Sequence, residues 1–324
     1  MQRWTDLEQV PDDLGPTVVT IGTFDGVHRG HQAVLEAAIH AARAGSFRAV
    51  ALTFDPHPAT VHRPDEAPPL LTGLVDRLEL LEALGLDGVL VQHYTREFAA
   101  TSAEDFVRTW FVEGLGARRV VVGHDVRFGA GNEGDLATLV ELGGRYGFEV
   151  QAVEDAGAER RWSSTWVREL LAQGDVPAAA AVLGRLPRLR GEVVRGEGRG
   201  RDLGFPTANL GDDLTGLVPT DGVYAGWMTR PALAAGDSDR LLPVAVSIGT
   251  NPTFDGVGRR VEANVPGRTD LDLYGEQVVL EIAHRLRDTE RFDTVEALVD
   301  QMHEDVSRLP STLADSAFGP TVVR

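Results

Sequence analysis

The chain has 324 residues, 43% hydrophobic and 25% charged, an ordinary globular composition with length for two domains rather than one. Its formal net charge of −18 repels nucleic-acid backbones and anionic membranes, and the lack of cysteine excludes disulfides, thiolate nucleophiles and thiolate metal sites. All 31 basic residues are arginine, which also excludes a Walker-type phosphate lysine and a Schiff-base lysine. The first residues carry no apolar signal core, and no stretch approaches the ~18 consecutive apolar residues of a membrane span. The expectation is a cytoplasmic, soluble protein with no nucleic-acid and no membrane partner. An acidic surface of this kind fits either a monomer or a homo-oligomer.

Residues 17–21 (TVVTI) are apolar and β-branched, which predicts a buried strand. Residues 22–30 form a glycine-rich turn, and residues 31–43 have helical spacing. Further strands are predicted at 48–54, 88–91, 119–123 and 148–153, with helices at 74–84, 103–111 and 136–146 between them. Strands alternating with helices predict an α/β domain with a Rossmann-like parallel sheet. The pattern changes near residue 186. A last helix at 178–183 is followed by a linker at 185–190 (RLPRLR). Short strand-like runs then follow at 191–194, 222–227, 243–248, 260–265 and 277–282, separated by glycine-rich turns, which predicts a small antiparallel β-barrel. An amphipathic helix at 293–309, with Val295, Leu298, Val299, Met302 and Val306 on one face, closes this part. Residues 310–324 read as a loose tail. The expected domains are 1–186 and 187–324.

Chemistry concentrates in two places. The turn IGTFDGVHRGHQ joins the first strand to the first helix. Its glycines allow a sharp turn and close ligand approach, the helix start offers free amides to phosphate, and His28 and His31 flank Gly30. Imidazoles there can stabilise charge developing on a phosphoryl group. A lone HxGH is more often a capped turn, so the weight comes from context. Asp125 and Arg127 sit at another strand end, which fits a nucleotide contact or a solvated loop about equally. In WSSTWVRELL, Ser163 or Ser164 is suited to cap a helix, and Ser164, Thr165 and Arg168 gather at its N-terminus as a phosphate cradle.

The second place is GEVVRGEGRGRDLGFPTANL. Gly196, Gly198 and Gly200 with Arg195, Arg199 and Arg201 make a loop able to wrap polyphosphate, or else a plain arginine–glycine segment. Thr207 and Asn209 suit magnesium, which takes few protein oxygens and keeps water and phosphate. Glu262 lies in a strand-like run beside Arg259 and Arg260. It could accept a proton from an attacking hydroxyl or be a surface residue paired with arginine.

The three N-terminal motifs resemble the HxGH/SSTxxR nucleotidyltransferases, and GTFDGVHRGHQ with LTFDPHP resembles the FMN adenylyltransferase half of bacterial riboflavin biosynthesis proteins. Residues from about 189 to 308, through GRGRDLGFPTANL, VPTDGVYAG, SIGTNPTF, VEANV and DLYGEQVVLEI, resemble riboflavin kinase. The resemblance implies phosphorylation of riboflavin to FMN in the C-terminal barrel and adenylylation of FMN to FAD in the N-terminal domain, with ATP and magnesium. By match, His28 and His31 are catalytic, and ATP lies on Gly22, Phe24, Gly30 and Asp125 and on Ser164, Thr165 and Arg168. The flavin is expected near Asp55, Pro56 and His57. In the kinase half, Gly198, Arg199 and Gly200 would hold ATP, Thr207 and Asn209 would hold magnesium, and Glu262 would be the base. Relatives usually carry His or Phe where Asn264 stands, and the loop 266–270 is atypical. One alternative is therefore that only one activity is retained, the other domain serving as a flavin- or nucleotide-binding regulatory module.

Overall fold

The computed structural model describes residues 1–157, 160–196, 200, 203–253 and 256–321, with the backbone only at 250–253 and 256–258. The chain divides into two compact units, Met1–Pro69 with Leu74–Ser163, and Leu70–Gly73 with Ser164–Arg324.

The first unit holds six strands: β1 (Gln2–Trp4), β2 (Thr17–Ile21), β3 (Arg48–Asp55), β4 (Gly88–His93), β5 (Ala117–Gly123) and β6 (Glu149–Val153). They pair in parallel in the order β1-β4-β3-β2-β5-β6. Its helices are α1 (Arg29–Gly45), α2 (Pro58–His62), α3 (Leu74–Leu84), α4 (Arg96–Ala99), α5 (Ala103–Phe106) and α6 (Leu136–Tyr146). Alternate strand residues serve opposite faces. Val19, Val50 and Leu52 pack with Phe106, Phe111 and Leu139, whereas Val18, Ala49 and Ala51 pack with Leu35, Ala38 and Leu81. Burial on both faces is why these strands read as unbroken apolar runs. The chain winds from β2 through β3 to β4, then crosses to β5 and β6 on the other side of β2. The carboxyl ends of β2 and β5 therefore flank a topological switch point, where open sheets bind ligands.

The helix expected at 103–111 takes a different form. α5 ends at Phe106 and a π-helical segment, Val107–Gly114, continues it. Its wider turn accompanies the stacking of Phe106 on Trp110, with ring centroids 5.5 Å apart.

The second unit begins with α7 (Ser164–Gln173) and α8 (Val176–Leu183). Then come β7 (Arg188–Val194), β8 (Thr207–Leu210), β9 (Gly222–Thr229), β10 (Leu241–Thr253), β11 (Gly256–Asn264) and β12 (Gln277–Arg287). They close an antiparallel barrel in the order β10-β11-β8-β7-β12-β9. Val246, Ile248, Val261 and Leu280 are buried in its wall. α9 (Val295–Ala314) packs Leu309 against Val223, Ala225 and Ala245.

Two expectations are corrected. The linker at 185–190 already belongs to the barrel from Arg188 onward, because Arg188 is buried and neutralised by Glu281 of β12 at 3.0 Å while Leu189 is buried too. Three arginines in six residues look solvated until a buried carboxylate answers one of them. The expected loose tail is packed as well, as far as Thr321. α9 runs through Pro310 to Ala314, and Phe318 joins Leu186, Trp227 and Ala283. The backbone N–H of Thr321 donates to Glu281 Oε2 at 2.9 Å. The short edge strand β1 and the strand β8, read from sequence as part of a turn, are additions.

Candidate active sites

The turn after β2 owes its shape to more than glycine. Gly26 has φ 80°, but Phe24 and Val27, with φ 49° and 38°, also adopt left-handed backbone. Both side chains are buried, which is what holds so unfavourable a conformation. Gly22 and Gly30 serve close approach instead. A Cβ on Gly22 would lie 2.9 Å from the Phe24 ring, and one on Gly30 would lie 3.0 Å from the Trp162 carbonyl oxygen and 3.1 Å from His28. His28 caps α1, its Nδ1 accepting from the backbone N–H of His31 at 3.3 Å. The two imidazoles stack, with centroids 3.7 Å apart and planes 22° apart, and Phe24 meets His31 edge-on.

This turn borders a cleft of about 460 Å³ at the switch point. One wall is polar, with His28, His31, Asp125 and Arg161. Arg161 spans two carboxylates, at 2.6 Å from Asp125 and 2.8 Å from Asp155. His124 joins these carboxylates in a group whose ligand atoms lie within 4.8 Å of one another, but the guanidinium already neutralises both. Arg127 turns to Asp135 at 3.5 Å. The other wall is aromatic, with Phe54, Tyr94, Phe98, Phe106 and Phe128. Burial pushes the Tyr94 phenol pKa up, so this wall presents no charge near neutral pH.

In the loop after β3 the wall is formed by Phe54 and Pro58, on either side of Asp55, Pro56 and His57. The Asp55–Pro56 bond is cis, and His57 caps α2 by accepting from the Ala59 N–H at 3.1 Å. Trp162 and Ser163 also line the cleft, and Arg29 lies over the Trp162 ring. Ser164, Thr165 and Arg168 open α7 and are counted with the second unit. Sequence reasoning passed over Arg161, the aromatic wall and Arg77. Arg161 stood immediately before the serine motif, the one local signal available. Arg77 lies on α3 and is only 3% exposed; burial pushes its pKa down, while Asp55 and Asp25 push it up.

The barrel gathers a second set. β8 and β11 pair so that Glu262 faces Asn209 and Asn264 faces Thr207. Thr207, Asn209 and Glu262 are half-buried on one face, while Ala208 and Ala263 between them are buried on the other. The Thr207 hydroxyl donates to Glu262 Oε2, and Asn209 Nδ2 to the Thr207 hydroxyl oxygen, each at 3.4 Å. Arg260 also pairs with Glu262, at 3.5 Å, so Glu262 has an arginine partner and a site partner together. A Cβ on Gly196 would come within 2.5 Å of Asn209 Nδ2, and one on Gly200 within 2.4 Å of the Phe205 carbonyl oxygen. Gly196 thus lets the backbone lie directly against Asn209, and Gly200 lets it lie against Phe205. Gly198, Arg199 and Arg201 lie outside the described residues. Asn264 is buried, and its Nδ2 donates to the Pro206 carbonyl at 2.8 Å, bracing the residue before Thr207.

Residues 10–166 match the FAD synthetase family and residues 183–313 the riboflavin kinase family. The bifunctional riboflavin kinase/FMN adenylyltransferase of Escherichia coli (strain K12) is 36% identical over 304 residues, 93% of each chain. The Pseudomonas fluorescens protein of the same description is 34% identical over 320 residues, 98% of this chain and 99% of its own. That of Bacillus subtilis (strain 168) is 30% identical over 304 residues, 91% and 92% of the two chains. A solved structure described as a macrolide-efflux protein from Streptococcus pneumoniae is similar over 95% of this chain and 98% of its own, with a TM-score of 0.82 and 28% identity. No helix among the described residues is long and apolar enough to cross a membrane. On identity, coverage and both family matches, the chain belongs to the bifunctional riboflavin kinase/FMN adenylyltransferase family.

Proposed function

We infer that the chain converts riboflavin to FMN in its barrel and FMN to FAD at its N-terminal cleft, using ATP in both steps. The functional division we propose falls at 186/187, a few residues inside the start of the riboflavin kinase match. The observation that carries the reading is that one chain holds a paired-histidine cleft at a sheet switch point and, in a separate barrel, a carboxylate within reach of Thr207 and Asn209.

In the barrel, Glu262 accepts the proton of the riboflavin 5′-hydroxyl as that oxygen attacks the γ-phosphorus of ATP, giving FMN and ADP. Thr207 and Asn209 fit magnesium: they offer neutral hard oxygens beside a carboxylate, in a cradle that a Cβ on Gly196 would fill. When bound, the ion would neutralise charge on the polyphosphate. Gly198, Arg199 and Gly200 line the same polyphosphate in this reading.

At the cleft, an FMN phosphate oxygen attacks the α-phosphorus of ATP and pyrophosphate leaves. His28 and His31 donate to the phosphoryl oxygens, and the free amides at the start of α1 hold phosphate. Gly22, Phe24 and Gly30 let the nucleotide approach. Asp125 contacts ATP, and Asp55, Pro56 and His57 border the flavin, whose ring stacks on the aromatic wall; Ser164, Thr165 and Arg168, at the start of α7, keep the phosphate-binding role that the family resemblance implies. The site of action is the cytoplasm and the partners are these small molecules.

The test is a chromatographic time course of the purified chain with riboflavin, ATP and magnesium. FMN appearing first and FAD second is the expected result. FMN that never becomes FAD, or FAD formed only from supplied FMN, would remove one of the two activities.

A further inference from the structure

Arg77 is a charged side chain with 3% exposure in a helix that otherwise packs the sheet. Its guanidinium reaches out of α3 to the carboxyl ends of two adjacent strands. Nη1 donates to the carbonyl oxygen of Thr23 at 2.8 Å, two residues beyond β2. Nη2 donates to the carbonyl oxygen of Phe54 at 3.0 Å and lies 3.7 Å from Asp55 Oδ1, at the end of β3. Asp25, buried in the histidine turn, acts on the same guanidinium. Asp55 is thus the carboxylate beside the guanidinium, and Asp25 acts on it electrostatically from the other loop.

The two loops have different tasks. Thr23 precedes the strained turn that carries His28 and His31, and Phe54 and Asp55 open the loop leading through Pro56 and His57 to the aromatic side of the cleft. Within the sheet the strands are held by ladder bonds. Beyond the end of β2, the Thr53 hydroxyl of β3 donates to the same Thr23 carbonyl oxygen at 3.1 Å, and the Gly22 N–H to the Leu52 carbonyl at 3.1 Å. The planar fork sets its two Nη donors apart, one on a carbonyl of each loop with Asp55 beside it, whereas an ammonium would have to make every bond from a single nitrogen.

We propose that Arg77 is a positioning residue for adenylyl transfer, fixing the spacing between the phosphate-binding turn and the flavin-side loop. It touches no reacting atom; it acts by holding the two halves of the cleft at one separation. Two substrates bound to separate loops react only when their reacting atoms are aligned, so a small change in loop spacing falls on the chemical step rather than on either binding event. The inference rests on the adenylyltransferase reading of the cleft.

The experiment compares the wild-type chain with Arg77→Lys, which keeps the charge and loses the fork, and with Arg77→Met, which loses both. For Arg77→Lys the expected kcat for FAD formation is lower by about 10- to 100-fold, with the KM for ATP changed by less than about threefold. Riboflavin phosphorylation by the same chain should stay within about twofold of wild type, which serves as the control for folding. Amide hydrogen exchange at residues 23–27 and 55–57 is the second readout, and protection should fall in both loops together in both variants. An Arg77→Lys chain with unchanged kcat would overturn the proposal, as would a kcat loss matched by an equal loss of kinase activity. Exchange unchanged in both loops would overturn it even if wild-type chain formed no FAD, a result that would instead count against the adenylyltransferase reading alone.

Discussion

The Nδ1 of His28 accepts the backbone N–H of His31, and the two rings stack at 3.7 Å. This bond makes Nδ1 of His28 the acceptor, which in a neutral ring puts the proton on Nε2. One residue thereby starts the helix and orients its own imidazole. The capped turn, one reading of the HxGH string, is present, and it does not compete with the phosphate role proposed for the same residues.

His31→Ala should lower the rate of FAD formation from FMN by about 10²- to 10³-fold, the usual cost of one donor aimed at developing charge. Riboflavin phosphorylation should be unchanged. Steady-state assays of each half-reaction on the same preparation would check this, and loss of both activities in a folded chain would contradict independent sites.

Glu262→Gln keeps the size and strand pairing of the residue facing Asn209 but removes its basicity. FMN formation should fall by about 10²- to 10⁴-fold, while FAD formation from supplied FMN persists. If the glutamine variant phosphorylates riboflavin at the wild-type rate, Glu262 is only the partner of Arg260.

Gly196→Ala would put a methyl group within 2.5 Å of Asn209 Nδ2, so that side chain must move. The kinase should then need roughly tenfold more magnesium for half-maximal rate, the size of effect seen when a group supporting a metal site is lost. A magnesium titration after chelator treatment would measure the shift; adenylylation of FMN by the variant at saturating magnesium should match wild type. An unchanged titration would separate Asn209 from the metal.

Phe318 packs beside Leu186, Trp227 and Ala283. Phe318→Ala should destabilise the barrel unit by on the order of 1 kcal/mol, since the ring is partly buried rather than enclosed. Denaturant melts followed by tryptophan fluorescence would report it through Trp227. No change in midpoint would mean that the segment after α9 contributes nothing to stability.

Much of the chemistry was legible because it is local. His28, Gly30 and His31 lie within four residues, and Thr207 and Asn209 alternate along one short strand, so chain connectivity alone brings each group together. The parallel sheet and the barrel were likewise written in the spacing of apolar residues. Tertiary structure decided the rest. Glu262 meets Thr207 across 55 residues of sequence only through the register of β8 against β11, where a slip of one residue would turn its carboxylate to the opposite face. The aromatic wall draws Phe54, Tyr94, Phe98, Phe106 and Phe128 from several separate segments, with no spacing to read. Residues 185–190 read as a linker because an arginine's charge is visible in sequence and its buried partner is not; Glu281 lies 93 residues from Arg188. The same holds for Arg77. A helix pattern reveals that the residue is charged, but only the packing of α3 beneath two strand ends reveals what that charge holds.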